Sequence, residues 1–162
     1  MDQLWAPWRL AYVTKAAPTP DCFICHGLSQ TADRENLIVC RRETCVVMLN
    51  KFPYNNGHLL VAPLSHKAKL AELSQVEMLE MQQVLTEFAG IIETTMKADG
   101  FNIGLNLGKV AGAGLPGHLH WHIVPRWNGD TNFMPVLTDV RVIVQSLDAL
   151  YDLLTNHLQS AS

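Results

Sequence analysis

An α+β fold, with an antiparallel sheet of about five strands, one long helix and a C-terminal helix, is what the sequence predicts. Three observations carry this reading. Short apolar or alternating runs follow one another at hairpin spacing, a single long segment has helical periodicity behind a capping box, and no βαβ alternation joins them. With 162 residues, 48% of them apolar, the chain suits one domain spanning residues 1–162 that buries about two thirds of its unfolded surface. We divide it into an N-terminal arm (1–20), a core (21–127) and a C-terminal extension (128–162).

In the arm, Trp5, Trp8, Leu10, Tyr12 and Val13 surround Pro7 and Arg9 and give way to a Pro-rich stretch, 16–20. The aromatic piece calls for a docking surface on its own domain, over a functional site or on a second subunit; the Pro-rich piece reads as an extended connector. Residues 37–40 and 45–49 read as strands around Arg41-Arg42-Glu43-Thr44, a loop of hairpin length that sets Cys40 opposite Cys45 as structural thiols. Residues 59–62 form a third strand, entered through Asn56-Gly57 and closed by Pro63. Ser74 and Glu77 make a capping box, and Met78, Met81, Leu85, Phe88 and Ile92 follow at alternating spacings of three and four. They predict an amphipathic helix over 75–98 that Asp99-Gly100 stops, its apolar stripe belonging to the core. A fourth strand, 101–107, alternates Ile103, Leu105 and Leu107 with Asn102, Gly104 and Asn106. After the fifth strand and a polar loop at 128–132, Leu147, Leu150, Tyr151 and Leu154 predict the C-terminal helix. Nothing repeats internally.

The fifth strand, 117–125, reads Gly-His-Leu-His-Trp-His-Ile-Val-Pro. Successive side chains of a strand point to opposite faces, so His118, His120 and His122 share one face while Leu119, Trp121 and Ile123 cover the other. An imidazole serves as nucleophile, proton carrier or metal ligand near neutral pH, and three on one face concentrate those capacities. A histidine-rich surface strand and a purely metal-binding triad are the plainer alternatives; a tag is excluded because the pattern is internal and alternating. Just upstream, residues 107–117 hold four glycines in eleven residues, a composition that suits either a mobile connection or a nest of backbone N–H groups around a phosphate.

The net charge of −3 and the absence of Lys/Arg blocks argue against a nucleic-acid duplex or an anionic membrane as partner. No apolar run approaches the roughly 20 residues of a membrane span, and the start lacks a signal peptide's layout. A cytoplasmic, reducing location follows, where four cysteines act as thiols or metal ligands rather than as a disulfide framework. Cys22 and Cys25 form a C-x-x-C pair, which suits redox chemistry, metal binding or neither. The redox reading needs a thioredoxin-like βαβ setting that this chain lacks.

His-x-His-x-His followed by two apolar residues resembles the signature of the histidine triad superfamily of nucleotidyl hydrolases and transferases. Residues 50–58 (Asn-Lys-Phe-Pro-Tyr-Asn-Asn-Gly-His), running into Val61-Ala62-Pro63-Leu64-Ser65-His66, are similar to the upstream half of that family's core. The matches cover about residues 22–127 in the family's order. Residues 5–9 and 125–133 further resemble the branch that contains diadenosine tetraphosphate phosphorylases.

The resemblance implies the same α+β architecture, usually as a homodimer, and a substrate that is a nucleotide or dinucleoside polyphosphate. It implies His120 as a nucleophile that attacks the α-phosphorus and carries a nucleoside monophosphate until water or inorganic phosphate takes it. His122 assists at the phosphoryl oxygens, and His118 completes the catalytic triad. Asn106 and the loop amides, Gly108 and Gly114 among them, hold developing charge, while Asn50 and His58 sit near the nucleotide. Asn50 stands where family members often carry an Asp that bonds the ribose. Gly114 and Leu115 stand where many carry Ser, Thr or Gln, so that the phosphate contact falls to backbone amides, Lys109 or Arg126, or is not made at all. Zinc wants four tetrahedral ligands, and Cys22 and Cys25 supply two. In zinc-bearing relatives the other two fall at His66 and His118, with His26 and His58 as rivals here; the metal is then structural. A nucleotide-binding zinc module that regulates a partner is the alternative function. A hexose phosphate uridylyltransferase is less well matched, since that class resembles His-Pro-His-x-Gln where this chain has His118-Leu119-His120-Trp121-His122.

Overall fold

The computed structural model describes residues 22–130 and 143–160. The aromatic arm and residues 131–142 lie outside them, and so do the expectations placed on residues 5–9 and 131–133. Among the described residues the elements run α1 (Phe23–Leu28), β1 (Ile38–Arg41), β2 (Cys45–Leu49), β3 (Leu59–Pro63), α2 (Gln75–Met96), β4 (Gly100–Leu105), β5 (Trp121–Arg126) and α3 (Leu147–Ser160). The strands form one antiparallel sheet in the order β1-β2-β3-β5-β4. The predicted α+β architecture is therefore the observed one.

Strands β2 and β3 are central and every residue in them is buried, which is why they read as continuous apolar runs rather than alternating ones. Cys45, Val47, Leu49, Leu59 and Val61 face α2 and α3 and meet Leu85, Phe88, Ile92, Leu150 and Leu154. Val46, Met48, Leu60 and Ala62 face the other way, against Ile24 of α1. Gly57 enters β3 with φ +75, and a Cβ there would stand 3.0 Å from Pro125 Cγ and 3.1 Å from Met96 Cε, so the turn needs glycine on both counts.

Four local expectations are corrected. Cys40 pairs with Val47, not Cys45, because an irregularity between Ile38 and Cys40 shifts the register, and the amide of Arg42 bonds the Cys45 carbonyl instead. Helix α2 ends at Met96, where Lys97 turns left-handed (φ 55); Asp99 then donates its amide to the Arg126 carbonyl and Gly100 already belongs to β4. Met78 of the predicted stripe is exposed, and Val84 and Ile91 fill the core-facing positions between the other members. Strand β4 stops at Leu105, short of Asn106 and Leu107. Among the described residues no helix is long and apolar enough to cross a membrane.

Phe88 is the largest of the fully buried side chains and lies where α2 crosses the sheet. Phe88→Ala should cost about 3–5 kcal/mol, the range for truncating a buried aromatic ring, read as a fall in the urea midpoint. A loss under about 1 kcal/mol would mean that the helix does not depend on this contact.

Candidate functional site: a histidine relay beside a four-ligand cluster

Only His122 lies within β5 proper. His118 and His120 occupy the lead-in, where no ladder holds the chain. The opposite side behaves as expected: Leu119 and Ile123 enter the helix-side core, with Trp121 packed against it. His118 turns to the Cys pair, and His120 and His122 turn to one another, ring centroids 5.1 Å apart and nearly edge to face.

Hydrogen-bond partners assign the ring protons. A carbonyl only accepts, so His118 donates Nε2–H to the Pro63 carbonyl (2.8 Å) and His120 donates Nδ1–H to the His118 carbonyl (2.8 Å). A backbone amide only donates, so His58 Nδ1 accepts from the Tyr54 amide (3.0 Å). The neutral His58 ring then carries its proton on Nε2 and donates it to His122 Nδ1 at 2.9 Å. His122 in turn keeps its proton on Nε2, a buried atom with no hydrogen-bond partner. The outcome is a lone pair on His120 Nε2 next to an N–H on His122.

Burial keeps these rings uncharged. It pushes His118 and His120 below the usual imidazole range, and it pushes His122, with His120 nearby, down to about 4. His122 stands opposite Leu60 on one side and Gly104 on the other, and Tyr54 stacks over it at 5.7 Å, 21° from parallel. The cross-strand neighbours thus place His58 diagonally from His122, within reach for the 2.9 Å bond.

The second centre lies behind His118. Cys22, Cys25, His66 and His118 bring four ligand atoms within 4.8 Å of one another. Cys22 caps α1, its Sγ accepting the Cys25 amide, so the helix start presents both thiols on one side. Cys22 Sγ is 3.2 Å from His118 Nδ1, and Cys25 Sγ is 3.5 Å from the same atom and 3.3 Å from His66 Nδ1. A tetrahedral zinc ion with ordinary bonds to nitrogen and sulfur sets such N···S edges about 3.5 Å apart. The residues fit the ion, and the donation of Nε2–H to Pro63 leaves Nδ1 of His118 as the ligating lone pair. His26 instead bonds Gln30 and His58 is engaged at the relay, so neither belongs to the cluster.

Other predicted site residues fall elsewhere. The Arg126 guanidinium is held by Asp130 (2.6 and 2.8 Å) and Asn102 (3.0 Å). Asn50 accepts the Phe52 amide on its carbonyl oxygen and lays its amide nitrogen 3.3 Å from both His58 ring nitrogens, so it braces the relay. In the glycine-rich loop a 3₁₀ turn, Lys109–Ala111, is closed by the amides of Gly112 and Ala113 on the carbonyls of Lys109 and Gly108, and those two amides face inward. Gly114 contributes no side chain, and Leu115 packs on the α1 side of the sheet. Asn106 follows directly on β4 at the start of this loop. Sequence reasoning missed Tyr54, the Pro63 and Lys67 carbonyls and Glu77, all of which hold site residues in place through contacts between distant segments. Tyr54, Pro63 and Glu77 lie in motifs singled out from the sequence, but nothing in those motifs specifies which distant groups they bond.

Comparison with known proteins identifies the family. The family model described as the HIT domain matches residues 31–129. A Mycobacterium tuberculosis (strain H37Rv) protein named AP-4-A phosphorylase is 36% identical over 154 residues, 91% of this chain and 79% of its own length. The asymmetrical bis(5'-nucleosyl)-tetraphosphatase of Schizosaccharomyces pombe is 31% identical over 90 residues, 56% of this chain and 49% of its own. Among solved structures, a Zn-bound histidine triad family protein from Mycobacterium smegmatis superposes with a TM-score of 0.68 at 27% identity, covering 88% of this chain and 99% of that one. By the span of the family match and the identity shared with full-length relatives, this chain belongs to the HIT domain family.

Proposed function

We propose that the protein cleaves dinucleoside polyphosphates of the diadenosine tetraphosphate kind, carrying the nucleotidyl group on His120. The observation that carries this reading is the paired tautomer, a lone pair on His120 Nε2 beside the buried N–H of His122. In the first step Nε2 attacks the α-phosphorus; the P–N bond forms, the P–O bond to the rest of the substrate breaks, and the nucleoside polyphosphate departs with the bonding pair. Positive charge growing on the His120 ring is met through Nδ1–H by the His118 carbonyl. His122 Nε2–H donates to a phosphoryl oxygen, and its tautomer is kept by His58 and, behind that, by the Tyr54 amide. In the second step an oxygen of the acceptor attacks phosphorus and the P–N bond breaks, which restores the imidazole.

Inorganic phosphate as acceptor is favoured over water by the kinship with the mycobacterial protein named AP-4-A phosphorylase. With Arg126 held by Asp130, we assign the acceptor's charge to Lys109, in the turn before the triad. Cys22, Cys25, His66 and His118 would hold zinc, which supplies a fixed anchor for the segment that presents His120. As the family resemblance implies, the working form is a homodimer. The packing of Leu115 into the core, where a polar side chain would have met the phosphate, favours a second reading: a nucleotide-binding zinc module without turnover.

His120→Ala separates the two readings. It should lower kcat by about 10³-fold or more while leaving AMP affinity, measured by calorimetry, nearly unchanged, because it removes the attacking nitrogen and little of the pocket. A variant that retains more than a few per cent of the wild-type rate would mean that another group attacks.

Untagged protein should carry about one zinc per chain. Replacing Cys22 and Cys25 by Ala should remove that zinc and lower the Tm, since metal bound only by the folded chain stabilises it. Full metal content in the double variant would overturn the ligand set.

Products made from diadenosine tetraphosphate with and without inorganic phosphate identify the acceptor. Phosphorolysis yields ADP with ATP and requires phosphate. AMP with ATP, at a rate indifferent to phosphate, would make the protein a hydrolase.

A further inference from the structure

The segment between β3 and α2 touches both centres. Pro63 receives the His118 ring proton, His66 is one of the four clustered ligands, and the Lys67 carbonyl accepts the Leu119 amide at 2.7 Å, on the peptide between His118 and His120. No ladder holds the chain there, since β3 ends at Pro63 and β5 begins at Trp121. Something else must fix it.

The fixing group is Glu77, in the first turn of α2 and only 8% exposed. Its carboxylate accepts Ser65 Oγ at 2.9 Å, Lys67 Nζ at 2.6 and 2.7 Å, and the Ser74 amide at 2.7 Å. Ser65 and Lys67 flank His66. The carboxylate thus holds the chain on both sides of His66 and limits the direction in which its ring can point. That direction is toward Cys25 Sγ, and it lays the ring so close over Gly117 that a Cβ there would come 3.4 Å from Nε2. The same grip sets the Lys67 carbonyl under Leu119. Lys67 and the Ser74 amide draw the Glu77 carboxyl down to about 2, as expected for a carboxylate with its acceptor sites filled.

We propose that Glu77 is a positioning residue for both centres, acting through Ser65 and Lys67 to orient His66 toward the metal cluster and to fix the Leu119 peptide that aims His120. The ion pair has 24% and 11% side-chain exposure at its two ends, unlike the exposed Arg34–Asp152 pair, and it joins the N-terminus of the long helix to the entry of the triad. A capping box alone would need only Ser74 and Glu77. The additional hold on Ser65 and Lys67 is what reaches the site. The consequences for zinc and turnover rest on the proposed function; the consequence for the Leu119 amide does not.

Three variants test this: Glu77→Gln, which keeps a side chain able to complete the capping box; Lys67→Met, which leaves the helix cap intact; and Lys67→Arg, which restores the charge. Glu87→Gln, which breaks the Arg42–Glu87 pair on the same helix, is the control. Hydrogen exchange is the first readout. In Glu77→Gln and Lys67→Met the Leu119 amide should exchange about tenfold faster relative to the Val84 amide in the middle of α2, with Lys67→Arg near wild type and the control unchanged. Zinc affinity in a chelator competition and kcat should each fall about tenfold with KM within about twofold, the range seen when a ligand loses its outer support. A wild-type protein without zinc or turnover would count against the proposed function and leave the exchange result to decide the clamp. Leu119 exchange equal to wild type in both Glu77→Gln and Lys67→Met, or a rise shared by Glu87→Gln, overturns the proposal.

Discussion

The structure depends on the satisfaction of one buried residue. His118 is 1% exposed, and it commits its ring Nε2–H to Pro63, its Nδ1 lone pair to the cysteine side and its carbonyl to His120. A polar ring at that depth costs several kcal/mol unless its hydrogen-bonding capacity is met, so these three partners are conditions for the fold as well as for the site. Each also fixes a proton. Because Pro63 can only accept, the metal-facing nitrogen of His118 is a lone pair; because the His118 carbonyl can only accept, the outward nitrogen of His120 is one too. A strand end, a helix cap and a candidate nucleophile are thereby linked through one side chain and its own backbone.

The second chain of assignment runs from Tyr54 through His58 to His122 and leaves a proton on His122 Nε2. The two relays approach from opposite sides of the site and end in complementary states, acceptor and donor, with the rings 5.1 Å apart. Neither state needs a carboxylate partner. Backbone groups do the assigning, and a backbone group keeps its donor or acceptor character at every pH at which the fold survives.

The parts of this that were legible in the sequence are those that rest on local pattern. The capping box at Ser74 and Glu77 and the apolar runs of β2 and β3 translate directly into elements, because each depends on neighbours along the chain. The His66 and His118 partners of the C-x-x-C pair were reached through family resemblance, since nothing in the spacing of residues 25, 66 and 118 selects them. What could not be read were bonds set by tertiary register. The shift between Ile38 and Cys40 moved Cys40 away from Cys45, and the capture of Arg126 by Asp130 followed from the path of the chain after β5. The triad itself was read as one uniform strand, yet only its last member lies in the ladder. Ladder bonds constrain the positions of Cα atoms; the His118 and His120 rings answer to Pro63 and to the peptide before Leu119.

The proposed polyanion site, with neutral histidines and a tethered arginine, looks underpowered until the order of charges is followed. Before substrate enters, burial favours the uncharged ring, and His122 titrates near 4. For the proposed nucleophile this is an advantage, since a neutral His120 presents its lone pair at pH 7 with no base required to remove a proton. A phosphate brought against His122 works against burial on that ring, because an adjacent negative charge favours the protonated form while burial opposes it. Its proton affinity therefore rises as the anion arrives and rises further as charge gathers on the phosphoryl oxygens. A permanently charged arginine at that position would bind substrate and transition state alike. A buried imidazole responds to the charge that develops, and interactions stronger in the transition state than in the ground state are the ones that accelerate a reaction.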